Sequence, residues 1–216
     1  MKKGFFILVV LAIITSESYS QNVMKTPQEV GKAVTDLIKN CERIDYAMFS
    51  SYFVNVEDCK KLSEESTDID QKIDFQETAK ALSAGNYYKG YENFVGSLPN
   101  YLREQGYTLH TLRYVDFWYD EIVINGISCI VGIVIMWADE GYLMCTPCYA
   151  VRINNGFKLT CLGENGFSWS SGVTEVREDG TICCDDFNDS IHGSKNGCLK
   201  FKGAYKDSDK IYLGVF

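Results

Sequence analysis

Thiol redox chemistry in this chain would have to come from its nine cysteines, and any Cys-His or Ser-His-Asp machinery from one of its two histidines. Cys145-Thr146-Pro147-Cys148 has the spacing of dithiol–disulfide motifs. Those motifs work by setting the first thiol at a helix N-terminus, which lowers its pKa. Here the flanks, Tyr142-Leu143-Met144 and Tyr149-Ala150-Val151, are strand formers, so Cys145 and Cys148 are candidate redox residues in a segment expected to be extended. The same spacing is half of a zinc site, whose other half is a second close pair or a pair of histidines. Cys183 and Cys184 are adjacent and point to opposite faces of a strand, and His192 stands alone, so no metal is assigned. Cys129, inside Ile127-Ser128-Cys129-Ile130-Val131, reads as a small buried hydrophobe.

General acid–base chemistry has one candidate segment, Tyr114-Val115-Asp116-Phe117-Trp118-Tyr119-Asp120. Strand alternation sets Tyr114, Asp116, Trp118 and Asp120 on one face and Val115, Phe117 and Tyr119 on the other. If the first face lines a cavity, Asp116 is a base, Tyr114 or Tyr46 a hydroxyl donor, and Trp118 a ligand contact. If the second face is the core, the acids are solvated, and this plainer reading is preferred. Asp185, Asp186, Asn188 and Asp189 offer oxygen ligands without the alternation and central glycine of a calcium loop, so they read as an acidic surface loop. His110 reads as an ordinary residue beside a strand start, and His192 lies in a turn-rich loop. No nucleophile elbow, zinc-protease helix or phosphate-binding glycine loop is present, and no cofactor is implied. Tyr87, Tyr88 and Tyr91 are too many to bury on one narrow helix face, which makes them candidate ligand-binding residues.

The elements that must position these groups change period midway. Thr26-Pro27-Gln28-Glu29 opens a helix with a cap, a proline at the first position and a returning Glu29. Val30, Ala33, Val34, Leu37, Ile38 and Cys41 then mark one apolar face at helical spacing. A short aromatic helix or turn over 46–53 follows, then a helix capped by Asn55 running to Leu62 and a polar loop over 63–70. Further helices are expected over 71–82 and 87–105, the second kinked at Pro99. From Tyr107 the pattern is strand: 109–120, then 121–124 and 127–137 joined by Asn125-Gly126, then 142–153, 157–162 after Asn154-Asn155-Gly156, and a last strand over 210–216. The 127–137 strand is apolar on both faces, so each face needs a cover. Helices followed by an antiparallel meander make an α+β class.

The opening residues read as an export signal over 1–20: Lys2-Lys3, an apolar run from Phe5 to Ile14, and Ser18-Tyr19-Ser20 before a cut at Gln21. The run is about ten residues, half of the roughly 20 a spanning helix needs. No later stretch is long and apolar enough either, so no membrane span is expected after cleavage, and the product is placed in the periplasm or outside the cell. Export turns the first reading of the cysteines to disulfides, with at least one thiol over. The net charge of −8, without a basic cluster, excludes nucleic acid as partner.

In its order of elements the chain resembles the cone-shaped α+β fold of the nuclear transport factor 2-like superfamily over about 26–164, with Asn155-Gly156-Phe157-Lys158-Leu159 resembling its closing strand. A cystatin-like helix-on-sheet arrangement is the near alternative. The resemblance implies a bent sheet around a pocket, with 165–216 as a β-rich extension continuous with the same sheet. The superfamily holds both enzymes and catalytically empty binders. The expectation is therefore an exported bacterial envelope module that binds a protein, a glycan or a small apolar ligand without catalysis. The alternatives are a pocket enzyme with an Asp116 base and a thiol–disulfide protein using Cys145 and Cys148.

Overall fold

The computed structural model describes residues 22–104, 106–138, 141–163, 173–184, 197–200 and 208–215. The expected export signal over 1–20, the acidic run Asp185–Asp189 and His192 lie outside the described residues. Five helices come first: α1 (Pro27–Lys39), α2 (Tyr46–Ser51), α3 (Val56–Glu65), α4 (Ile69–Ser83) and α5 (Tyr91–Glu104). After a 3-10 turn at Leu109–Thr111 the chain is strand: β1 (Arg113–Ile124), β2 (Ile127–Ala138), β3 (Gly141–Ile153), β4 (Gly156–Leu162), β5 (Val173–Val176), β6 (Thr181–Cys184), β7 (Gly197–Lys200) and β8 (Gly214–Val215). This is the expected α+β class.

Short-range caps start the helices. The Thr26 hydroxyl accepts the Glu29 N–H at 3.2 Å, while the Glu29 carboxylate reaches one residue past the cap to the Lys25 N–H at 2.7 Å. Asp45 caps α2 and Asp68 caps α4, each at 2.8 Å. Asn55 and Asp58 close a reciprocal box at the start of α3, which satisfies two amide donors that the helix cannot. The loop expected over 63–70 is instead mostly helical, because α3 continues to Glu65 and α4 begins at Ile69. Leu62, Ser63 and Ser66 are buried there, while Glu64 and Glu65 face outward; the charge marked a solvated helix face, not a break. The last helix begins at Tyr91 rather than at 87, with Pro99 buried in its interior.

All the strands belong to one mixed, mostly antiparallel sheet, in the order β1-β2-β3-β5-β6-β7, with β4 on β3 and β8 parallel to β4. Asn125 (φ 51°) and Gly126 (φ 84°) make the tight β1–β2 turn, where the left-handed backbone matches the twist of the strands. The expected break at 120/121 is absent: β1 is a single strand that starts at Arg113, after the 3-10 turn. One edge of β3 pairs with β2. The other carries β4 along Cys148–Ile153 and β5 at Tyr142. The last strand is only Gly214–Val215, because the Ile211 backbone is held by a side chain instead: the Gln71 amide donates to the Ile211 carbonyl at 3.0 Å and accepts its N–H at 2.8 Å.

The apolar face of α1 packs across β1, β2 and β4, and Val30, Ala33, Val34, Leu37, Ile38 and Cys41 are all buried. Gly31 permits the approach, since a Cβ there would fall 2.6 Å from Tyr114 Cε2 and 2.7 Å from Phe117 Cβ. On β2, Ile133 and Ile135 are fully buried yet stand apart from the core cluster that α1 joins. Both faces of the strand are therefore covered.

Candidate functional site

Tyr46 opens α2, and its hydroxyl accepts the Tyr88 N–H at 2.8 Å and donates to the Asn86 carbonyl at 3.5 Å. These bonds draw the segment between α4 and α5 across the face of α2 and leave a cavity of about 300 Å³ between them. Its walls are Tyr46, Ala47, Ser50 and Ser51 from α2, Val54, Asn55 and Val56 at the start of α3, Leu82, Gly85 and Asn86 at the end of α4, and Tyr88. Ser50 and Ser51 return their hydroxyls to the carbonyls of Ala47 and Met48, and Asn55 is spent on its cap. The surface left to a ligand is therefore largely apolar, with hydroxyls and amides at its edge.

Beside the cavity three tyrosines pack together: the Tyr46 ring lies 4.7 Å from Tyr87 and 5.0 Å from Tyr91, and Tyr87 lies 5.3 Å from Tyr91. The structure thus brings Tyr46, Tyr87, Tyr88 and Tyr91 together, in three different roles. Tyr87 is 54% exposed, Tyr91 is half-buried with its hydroxyl on the Ile44 carbonyl at 3.2 Å, and Tyr88 is 2% exposed. Burial pushes the Tyr88 phenol well above its ordinary pKa, and its hydroxyl donates to the Thr160 carbonyl on β4 at 3.0 Å. Of Tyr87, Tyr88 and Tyr91 only Tyr91 lies in a helix, so one helix face never had to accommodate all three.

Behind the Asn55 wall is a group that sequence reasoning did not single out as functional. Lys158 on β4 is fully buried, and its ammonium donates at 2.6 Å to Asp58, the same carboxylate that closes the α3 cap. The one signal in the sequence was the position of Lys158 in a strand whose other long side chains, Phe157, Leu159 and Leu162, are apolar. Cys59, next to Asp58, is a buried free thiol pushed up to about 12, first by burial and then by the Asp58 charge.

Asp116, Tyr114 and Trp118 are arranged otherwise than simple alternation expects. Val115 is an extra residue in β1, since Tyr114 pairs with Met136 and Asp116 with Ile135. This bulge reverses the alternation: Tyr114 lies with Phe117 against Gly31 of α1, while Asp116 stays with Trp118. Asp116 Oδ1 accepts the Phe117 N–H and Oδ2 accepts the Trp118 indole N–H, both at 2.8 Å. The Tyr114 hydroxyl is buried without a hydrogen-bond partner and pushed up to about 12, by burial first and by the nearby Asp116 charge second. Trp118 and Asp120 are buried, and Val115 is exposed, so neither simple face is the core. Asp116, Tyr114 and Trp118 do not line the Tyr46 cavity.

Cys145 and Cys148 lie within β3, not at a helix N-terminus. Thr146 and Pro147 together oppose Ile133, forming a second bulge, which is where a central strand tolerates a proline. An extended run of this length separates the two Cα atoms by roughly 10 Å, more than the ~7 Å limit for a disulfide. Among the described residues a disulfide joins Cys183 and Cys198, directly opposed on β6 and β7. Cys41, Cys59 and Cys129 are buried free thiols. His110 is exposed in the 3-10 turn ahead of β1. Among the described residues no group of three or more His, Cys, Asp or Glu side chains is placed to hold a metal ion, and no helix is long and apolar enough to cross a membrane.

Compared with family models, with curated proteins and with solved structures, the chain matches none.

Proposed function

We propose that this chain is an exported, non-catalytic binding module that takes a small, mainly apolar ligand with one polar end into the Tyr46–Tyr88 cavity. One observation carries the reading: a preformed cavity of about 300 Å³ whose walls include no carboxylate, histidine, lysine, arginine or cysteine. Largely apolar walls with a few polar groups suit binding, whereas acid–base or nucleophilic chemistry needs a titratable or activated group at the reacting atom, and the hydroxyls of Tyr46, Tyr88, Ser50 and Ser51 are already engaged with backbone groups. The Asp116 carboxylate, with both oxygens engaged within its own strand, also favours binding over a pocket enzyme.

Three features of the fold support the reading of a nuclear transport factor 2-like arrangement. Helices precede the sheet, α1 crosses it, and unpaired residues at Val115, at Thr146–Pro147 and at Thr160 interrupt three successive strand pairings. Bulges bend and twist a sheet, as a cone requires. Export rests on the leader pattern in residues 1–20.

Titration with the neutral apolar dye N-phenyl-1-naphthylamine tests the site. Saturable fluorescence enhancement that Ala47→Trp removes, with unchanged circular dichroism, is the expected result. Equal binding by the filled variant, or none by the parent chain, overturns the reading. A neutral oligosaccharide that binds the cavity while the dye does not would also overturn it. Sequencing the N-terminus of the exported product tests the leader: a start at Gln21 is expected, and a retained Met1 overturns it.

A further inference from the structure

A second cleft, of about 260 Å³, lies where the end of α1, the end of α5 and the 3-10 turn meet. Lys39, Asn40, Glu42 and Arg43 line it from one segment, Arg103 from another, and Tyr107, Thr108, Leu109 and His110 from a third. Three basic side chains and a histidine thus converge on one hollow. The lining contains one carboxylate, Glu42, and it is already taken: Arg103 donates to Glu42 Oε1 from Nε at 3.1 Å and from Nη2 at 2.6 Å. Lys39, Arg43 and His110 carry no acceptor among the described residues.

We propose that this cleft binds a small organic anion through its carboxylate or phosphate oxygens, independently of the Tyr46 cavity. The chain has 29 acidic residues against 21 basic ones, so three cations gathered around a single carboxylate run against its overall balance. Helix dipoles account for part of the cluster. Lys39 and Arg103 stand in the last turns of α1 and α5, where a cation offsets the carbonyl end of a helix. Arg43 and His110 lie beyond those helices, and that effect does not explain them. The Arg43 guanidinium offers a planar fork that an oxyanion can meet with two bonds, Lys39 a point charge, and His110 a ring N–H. The volume sets the size of the ligand: a di- or tricarboxylate or a phosphorylated three- or four-carbon compound, not a nucleotide or a polymer. The sites are open to solvent, so binding is weak and sensitive to salt.

Calorimetric or amide-shift titration of the full chain with citrate and, separately, with inorganic phosphate tests this at low ionic strength. Saturable binding is expected, with amide shifts centred on Lys39–Arg43 and Thr108–His110. The double variant K39Q/R43Q should weaken it by about tenfold or more while leaving the fold unchanged. Whichever of the two anions binds more tightly identifies the group recognised. Ala47→Trp should leave anion binding intact, so this proposal and the Tyr46 cavity fail or survive separately. Non-saturable shifts, shifts reproduced by equal ionic strength of sodium chloride, or equal affinity in K39Q/R43Q would overturn it.

Discussion

The ammonium of Lys158 and the carboxylate of Asp58 meet at 2.6 Å although they are 100 residues apart, with Lys158 1% and Asp58 12% exposed. The contact ties β4 to the first turn of α3, and the same Asp58 oxygen accepts the Asn55 N–H at 3.0 Å. One carboxylate thus serves as a helix cap and as the counter-ion of a buried cation, on the wall behind the Tyr46 cavity.

Removing one partner should cost far more than removing the charge. Asp58→Asn leaves a buried ammonium without its counter-ion and weakens the cap, a loss of about 3–5 kcal/mol. Adding Lys158→Met to Asp58→Asn removes both charges together, puts an apolar chain of similar volume in place of the cation and should restore most of that loss. Urea denaturation of the two variants checks the order. Equal losses would mean that the pair contributes by geometry rather than by charge.

Tyr46→Phe deletes the oxygen that accepts the Tyr88 N–H at 2.8 Å. A donor left unpaired beside a buried side chain costs about 1–3 kcal/mol. The segment that closes the cavity should loosen with it. Faster amide exchange at Tyr88 and weaker dye binding are the expected readouts.

The protein should lose stability at alkaline pH. Burial pushes the thiols of Cys41, Cys59 and Cys129 from 9.0 up to about 12, and that of the Tyr114 phenol from 10.0 to about 12. Each group holds its proton more firmly when folded. The stability from this is complete below pH 9 and disappears as the pH rises towards 12, because the unfolded chain releases its protons first. Melting temperature measured from pH 8 to pH 12 should fall across that window. Cys129→Ala should shrink the fall in proportion, and a flat profile would contradict the assignment. At pH 8 these thiols should resist a thiol reagent until the chain is unfolded.

Gln71 stands in for a neighbouring strand at Ile211, with one bond each way at 3.0 and 2.8 Å across 140 residues. Gln71→Ala leaves a buried N–H and carbonyl unpaired and should cost about 2–6 kcal/mol, taking each lost bond at the unsatisfied-group penalty. The Lys210–Val215 segment should exchange its amides sooner than β1 or β2. Uniform exchange in the variant would show that Gln71 does not anchor it.

Much of the architecture was legible because it rests on contacts between residues close in sequence. The caps at Thr26 and Asn55 each bond a donor three residues on, and Asn125-Gly126 shapes its own turn. The buried stripe of α1 follows from helical spacing alone. These features fixed the α+β class and the positions of the first helices and strands. The candidate site was legible only as a list of tyrosines, since nothing local says that Tyr46 bonds to the backbone of Tyr88.

The sequence by itself determined where the helices capped by Thr26 and Asn55 start, where the Asn125-Gly126 hairpin turns and which face of α1 is apolar, because a cap, a turn or an amphipathic stripe depends on residues a few positions apart. Tertiary structure decided the rest. An extra residue at Val115 moved Tyr114 away from the Asp116 and Trp118 face, and that bulge exists only in register with β2. Lys158 became the buried partner of Asp58, and Gln71 the backbone partner of Ile211, through contacts at separations of 100 and 140 residues. Such pairings depend on how the sheet curves against the helices, and the period of a single segment carries no record of that.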